Sequence, residues 1–396
     1  MADGNGRTIG ICLSGGGFRA TLFALGSLWR LNDFGLLKKL DRITCVSGGS
    51  ITGAYLAAVW DELLWDSDTA TNFEDVVTQP VLSFCNKRFV DGRATLSRAL
   101  PWTSGAEGLE HLYSSSIFAG LTLKNLGGAT QRPEVLICGT NLQTGVNFKF
   151  SKDGMGDYSI GYYKDNEISL AKAVAVSSAF PPILSPMVIR TDPRSDKWEN
   201  HTHTIKDVDL LRKLREKIVL SDGGVYDNLG LEPIFKPSPS RPPVDIVLVA
   251  DAGSPEEVRI IPWQLFKLPK FWTGNVQLSR VRDIMMHQTR KLRRRHLISD
   301  FIDRRVDGAY WGLTTEIKDY QSIHGLSSIM AQGNALTRSL ATAPTRLTKF
   351  NGHIATHLVN WGYALTDAAV RAFPYQSESW EPSKKWPIDV RENLYN

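Results

Sequence analysis

A chain of 396 residues with 42% apolar and 22% charged side chains lies inside the globular range and is not a disordered polymer. Nowhere do about 18 apolar residues run together, which excludes a hydrophobic membrane-spanning helix, and Met1–Gly10 has no apolar stretch behind a basic start, so the expected location is the cytoplasm. The formal charge of +5 is uneven, because Arg280–Arg305 alone carries nine Lys or Arg against three Asp.

In chain order, short β-branched runs predict strands over Thr8–Leu13, Arg42–Val46, Glu134–Asn141, Asn147–Ser151, Met187–Thr191, Lys217–Ser221, Asp245–Ala250 and Ala309–Thr315. Helical patterns fall between them, over Ala20–Asp33, Ser50–Leu64, Ser169–Phe180, Gln277–Asp303 and Pro344–Phe373. Such alternation predicts an α/β fold, a three-layer sandwich around a mostly parallel central sheet. Two stretches read as irregular: Asn86–Gly105, and Asp192–Asp209, which is almost wholly polar and is expected to be a solvated, mobile insertion. No repeat or Pro/Gly/Ser linker divides the chain. The expectation is therefore one domain over 1–396, with the polar insertion near 192–209 and a helical C-terminal region from about 277.

The first strand breaks at Gly15-Gly16-Gly17-Phe18-Arg19-Ala20, which satisfies G-x-G-x-x-A between a strand and a helix, the context of a dinucleotide fingerprint. A nucleotide site also needs an acidic residue at the carboxyl end of the second strand. Asp41 stands at the wrong end, and the strand instead ends on Ser47, followed by Gly48, Gly49 and a helix rich in small residues. A serine on a sharp strand-to-helix turn is what a nucleophile elbow requires, although an ordinary helix start also fits. The glycine amides beside it can serve as an oxyanion hole, because no side chain obstructs them and a helix amino end lies behind.

A serine nucleophile needs a base. None of the eight histidines sits in a glycine-rich turn at a strand end, and neither His201 with His203 nor His353 with His357 completes a metal motif. No metal or other cofactor is expected. The alternative base is Asp222, which a buried strand delivers into the Gly223-Gly224 turn; a plain Asp-Gly turn is the structural reading of the same residues. With an ordinary pKa near 4, Asp222 would need a dry or hydrogen-bond-tuned site to act as a base.

Taken together, GGGFRA, CVSGGS and SDGGVYDN resemble, in order, the motifs of the patatin-like phospholipases. The resemblance runs from about Thr8 to Gly253. It implies a Ser–Asp dyad without histidine, with Ser47 as nucleophile and Asp222 taking its proton. It implies further that Gly15, Gly16 and Gly17 form the oxyanion hole, with Arg19 supporting the loop or the negative charge nearby. AVAVSSAFPPILSP, Ala173–Pro186, looks like the helix and Pro-Pro turn that the family places beside the site. Two departures are Cys45, where the elbow has glycine, and Ala20, where the family commonly has glycine. The implied activity is that of a phospholipase A, a lipid acyl hydrolase that releases fatty acid from glycerophospholipids. A catalytically idle lipid-binding relative and a dinucleotide-dependent oxidoreductase are the competing readings.

The implied partner is a phospholipid membrane surface, met peripherally on its inner face. Ile260–Gly274, with Trp263, Phe266, Phe271, Trp272, Lys267 and Lys270, suits the headgroup boundary, and an ordinary buried aromatic loop is its alternative. The basic run at 280–305 suits lipid headgroups, an activator or self-association, or is simply a solvated face. No recognition motif accompanies it, so nucleic acid is not expected. Cys12, Cys45, Cys85 and Cys138 read as buried structural thiols.

Overall fold

The computed structural model describes residues 6–87, 105–129, 132–182, 184–199, 203–236, 242–256, 270–326, 328–350, 353–372, 380–389 and 395. Among the described residues eleven strands form one sheet: β1 Ile9–Leu13, β2 Arg42–Val46, β3 Glu134–Asn141, β4 Val146–Ser151, β5 Gly154–Asp157, β6 Gly161–Tyr163, β7 Met187–Arg190, β8 Trp198–Glu199, β9 Lys217–Asp222, β10 Ile246–Asp251 and β11 Asp307–Gly312. The centre is parallel, in the order β3-β2-β1-β10-β11. Beyond β3 the pairing turns antiparallel through β4, β5, β6 and β8, while β9 pairs antiparallel with both β3 and β7.

Both faces of the parallel strands are covered. Along β10, Ile246, Leu248 and Ala250 enter the large core, while Val247 and Val249 join Cys12, Leu229, Ile234 and Leu297 on the opposite face. Alternate residues of a strand point to opposite faces, so near-continuous hydrophobic strands are what a sheet buried on both sides demands. The helices that position the site are α1 Gly17–Asp33, α2 Gly48–Ala58, α3 Leu170–Ser177, α4 Lys270–Ile302 and α5 Ile354–Ala372. α1 and α5 cross in close contact: a side chain at Gly26 would strike the Val359 carbonyl, and one at Gly362 the Phe23 carbonyl. The molecule is thus an α/β sandwich around a sheet that is mostly parallel at its centre.

The structure departs from the sequence expectations in several places. The helix expected to reach Leu64 stops at Ala58, and that expected from Pro344 begins at Ile354. α4 starts at Lys270, inside the aromatic-basic stretch, of which 260–269 lies outside the described residues. The segment over Asp192–Asp209 is not wholly solvated. Trp198 is buried in β8, its ring 5.1 Å from that of Tyr163 and 4.4 Å from the Arg215 guanidinium, and Asp207 caps the helix Val208–Glu216. A single large aromatic anchors a segment whose average polarity conceals it. The acceptor pattern at 200–202 lies outside the described residues, as does most of Asn86–Gly105.

Candidate active site

The site begins with a fork in the sheet. β3 hydrogen-bonds β4 along one edge from Ile137 to Asn141. Its other edge is shared: β2 runs parallel to it as far as Val46 opposite Cys138, and β9 runs antiparallel as far as Asp222 opposite Gly139. Two strands therefore approach head-on along one neighbour and stop at adjacent rungs. Whatever follows β2 must meet whatever ends β9. Those residues are Ser47 and Asp222, distant in sequence and brought together by register alone.

Ser47 has φ 50° and ψ −122°, outside the basins open to residues with a Cβ. The strain is held by its surroundings. The Ser47 amide donates to Ser177 Oγ at 2.9 Å, and Ser177 in turn donates to the Cys138 carbonyl at 2.6 Å. Ser50 Oγ lies 2.8 Å from the same hydroxyl. Cys45, at the position of the first elbow glycine, is buried beneath Gly53, and burial holds its thiol strongly protonated. The hydroxyl of Ser47 lies near enough to the Asp222 carboxylate to favour its charged form, and the residue keeps 9% of its surface exposed.

Asp222 is 2% exposed. Burial pushes its carboxyl up to about 7, against the hydrogen bond from the Gly224 amide, at 2.6 Å, and the nearby Ser47 hydroxyl, which pull it back. Desolvation disfavours the charged form and outweighs two donors. The backbone is pinned as well: the Asp222 amide donates to Ala179 at 3.0 Å, and its carbonyl accepts from Thr140 Oγ1 at 2.7 Å.

The glycine loop lies over this pair. Gly16 has φ 146° and Gly17 φ 59°, conformations that favour glycine. The Gly15 amide donates to the Asn228 carbonyl at 3.0 Å. Gly15 thus shapes the loop, and its N–H is engaged, unlike the expectation of three converging donors. Among the described residues the amides of Gly16 and Gly17 donate to no protein acceptor, and they open α1, where a helix presents unsatisfied N–H groups. Gly48 is packed against the Gly17 carbonyl, so loop and elbow touch.

Arg19 resolves its two expected roles in favour of loop support. It is 2% exposed, donating from Nε to the Ala252 carbonyl at 2.9 Å and from Nη1 to the Ala343 carbonyl. Burial pushes its pKa down to about 10.

Part of the basic helix reaches inward. Arg290 of α4 binds both carboxylate oxygens of the fully buried Asp251 with Nε and also reaches the carbonyls of Gly253 and Ser254. The Tyr310 hydroxyl donates to Asp251 at 2.6 Å. The strand end so held carries Ala252, whose amide donates to Ser14 Oγ at 2.7 Å and whose carbonyl receives Arg19. Arg293 pairs with Asp227 at 3.5 Å and Glu232 at 3.3 Å, and Arg282 donates to the Pro181 carbonyl at 2.6 Å. Lys291 and Arg305 are also ion-paired, with Glu256 and Asp300. Three arginines of the run, Arg282, Arg290 and Arg293, thus clasp the site's supporting loops.

Sequence reasoning missed Ser177, Arg290 and Asn228 as supporting residues. Ser177 lies in the stretch the resemblance picked out, but nothing local distinguishes it from Ser178. All four cysteines are buried and free, their thiols pushed up by burial. His357 Nδ1 lies 2.8 Å from the Tyr395 hydroxyl, remote from this site in the fold.

The fold and this serine-bearing elbow define the class: an α/β sandwich with a serine on a strained strand-to-helix turn at the end of β2. The family model of the patatin-like phospholipases matches residues 11–235, more than half of the chain. The chain belongs to the patatin-like phospholipase family. Among solved structures it is similar to human GIVD cytosolic phospholipase A2 in complex with methyl gamma-linolenyl fluorophosphonate, with 13% identity, TM-score 0.48 and coverage of 91% of this chain and 57% of that one. Human GIVD cytosolic phospholipase A2 alone gives 15% identity and TM-score 0.42, over 63% of this chain and 43% of the other. VipD from Legionella pneumophila gives 16% identity and TM-score 0.37, over 91% and 66%. The chain spans 43% and 57% of the length of these two phospholipase A2 chains. No curated protein matches it.

Proposed function

We propose that this chain is a lipid acyl hydrolase of phospholipase A type, working by a Ser47–Asp222 dyad on glycerophospholipid esters. The observation that carries the reading is the head-on meeting of β2 and β9, which sets the Ser47 hydroxyl against a buried carboxylate whose pKa is raised to about 7. A base is most effective when its pKa lies near the working pH.

In the proposed cycle Asp222 takes the proton of Ser47 as Oγ attacks the ester carbonyl. The tetrahedral oxyanion is held by the amides of Gly16 and Gly17 at the positive end of α1, with Gly15 and Arg19 fixing the loop. The carbon–oxygen bond to the glycerol breaks, and protonated Asp222 delivers its proton to the leaving alkoxide. Water, deprotonated by Asp222, then attacks the acyl-enzyme, Ser47 recovers its proton, and fatty acid departs. Lysophospholipid is the other product.

The substrate surface is a phospholipid membrane, approached peripherally from the cytoplasmic side; no described helix is long and apolar enough to cross one. We read 1–396 as one catalytic domain, a reading supported by the close crossing of α5 with α1 and by the bond from the Phe18 amide to the Arg346 carbonyl. The test is mass-spectrometric detection of fatty acid released from mixed phospholipid vesicles by wild type, Ser47→Ala and Asp222→Asn. Release by wild type alone is expected. Equal release by Ser47→Ala would overturn the assignment.

A further inference from the structure

A phospholipid differs from a neutral acylglycerol by one phosphodiester charge, separated from the scissile ester by the glycerol backbone. A cation near the oxyanion loop would attract that charge. Arg19, the basic residue inside the glycine motif, is buried and spends its donors on the carbonyls of Ala252 and Ala343. It has no face toward solvent.

A different arginine has its backbone packed against the glycine loop. The segment 342–350, which follows the helix Ala335–Ala341 and lies outside the family-matched residues 11–235, folds back over the loop. The Arg346 carbonyl accepts from the Phe18 amide at 2.9 Å. Its backbone lies so close to Gly17 that an added Cβ would meet the Arg346 carbonyl oxygen at 2.5 Å and its nitrogen at 2.8 Å. Arg346 is therefore seated directly on Gly17, the residue that opens α1 and touches Gly48 of the elbow. Its side chain is exposed, and its guanidinium lies 5.4 Å from the Phe350 ring centre. Among the described residues it meets no carboxylate, whereas Arg30, Arg42, Arg290 and Arg293 all do.

We infer that Arg346 binds the phosphate of the substrate and so determines selectivity for phospholipid over neutral esters, a role that rests on the acyl-hydrolase reading above. A planar guanidinium presents paired donors that match phosphate oxygens, and its charge persists at any working pH. The phosphate is held at the rim while the ester carbonyl reaches the amides of Gly16 and Gly17.

The test compares kcat/KM on dioleoylphosphatidylcholine and on dioleoylglycerol in the same detergent micelles, for wild type, Arg346→Gln and Arg346→Lys. Loss of one charge-assisted contact at an exposed rim lowers phospholipid turnover about tenfold in Arg346→Gln. Turnover of dioleoylglycerol should stay unchanged, and Arg346→Lys should retain part of the preference. Equal loss on both substrates would reduce Arg346 to a loop prop and overturn the inference, as would no loss on either. Relief of inhibition by inorganic phosphate in Arg346→Gln, with phospholipid turnover unaltered, would assign the site to a free anion and also overturn it. Should neither ester turn over, the hydrolase reading fails on its own, while binding still decides the inference. Ser47→Ala should then bind micelles of a non-hydrolysable diether phosphatidylcholine about tenfold more tightly than Ser47→Ala/Arg346→Gln, and equal binding would overturn the inference.

Discussion

Replacing Asp222 with Asn should abolish turnover and make the protein more stable at alkaline pH. The buried carboxylate has its pKa raised from 3.8 to about 7, so the folded state holds a proton between those values that the unfolded chain has released. Stability is then fully present below about pH 4 and is lost as pH rises toward 7, because the native state binds more protons there. At 1.36 kcal/mol per pH unit, the gap corresponds to a ceiling of about 4 kcal/mol of native-state destabilisation at pH 8. Asparagine is neutral, and its carbonyl oxygen can still accept from Gly224. Chemical denaturation at pH 8 should find Asp222→Asn more stable than wild type by about 2–4 kcal/mol, with the difference vanishing near pH 4. A variant no more stable than wild type at pH 8, or an advantage independent of pH, would refute the claim that burial controls this carboxylate.

Other predictions concern the supports of the site. Ser47→Gly should be as inactive as Ser47→Ala yet about 1 kcal/mol more stable in denaturant titration, since glycine adopts φ 50°, ψ −122° without strain. Arg290→Gln leaves Asp251 buried without its cation and should cost about 3–5 kcal/mol. Turnover of a water-soluble short-chain ester should fall with it, and adding Asp251→Asn should recover much of the stability. Trp198→Ala should cost about 3 kcal/mol in the same assay; a cost near zero would restore the wholly solvated reading of the segment over Asp192–Asp209.

How much of this was legible in the sequence follows from the range of each interaction. β2 and β3 fall where their β-branched runs place them, because a strand buried on both faces writes a continuous apolar run. β5 and β6 were not visible. Each is short and glycine-bearing, GMGD and GYY, and only pairing with each other, with β4 and with β8 gives either the form of a strand. Ser47 and Asp222 stood out through their glycine-flanked turns, but their meeting depends on two strands sharing one edge of β3, which no local pattern encodes. The basic run over Arg280–Arg305 misleads for the complementary reason: the acids that neutralise Arg290 and Arg293 lie at Asp251, Asp227 and Glu232, remote in sequence. Gly15 reads like its two neighbours until the structure shows its amide engaged by Asn228.

Trapping the intermediate would show whether Ser47 carries the acyl group under the control of Asp222. A medium-chain acyl ester would be mixed with the enzyme, the reaction quenched in acid within its first turnover, and the digested protein mapped by mass spectrometry. One acylated peptide, modified at Ser47, is expected in wild type and should be absent from Ser47→Ala and Asp222→Asn. An acyl group on any other residue, or hydrolysis that persists in Ser47→Ala, would contradict it.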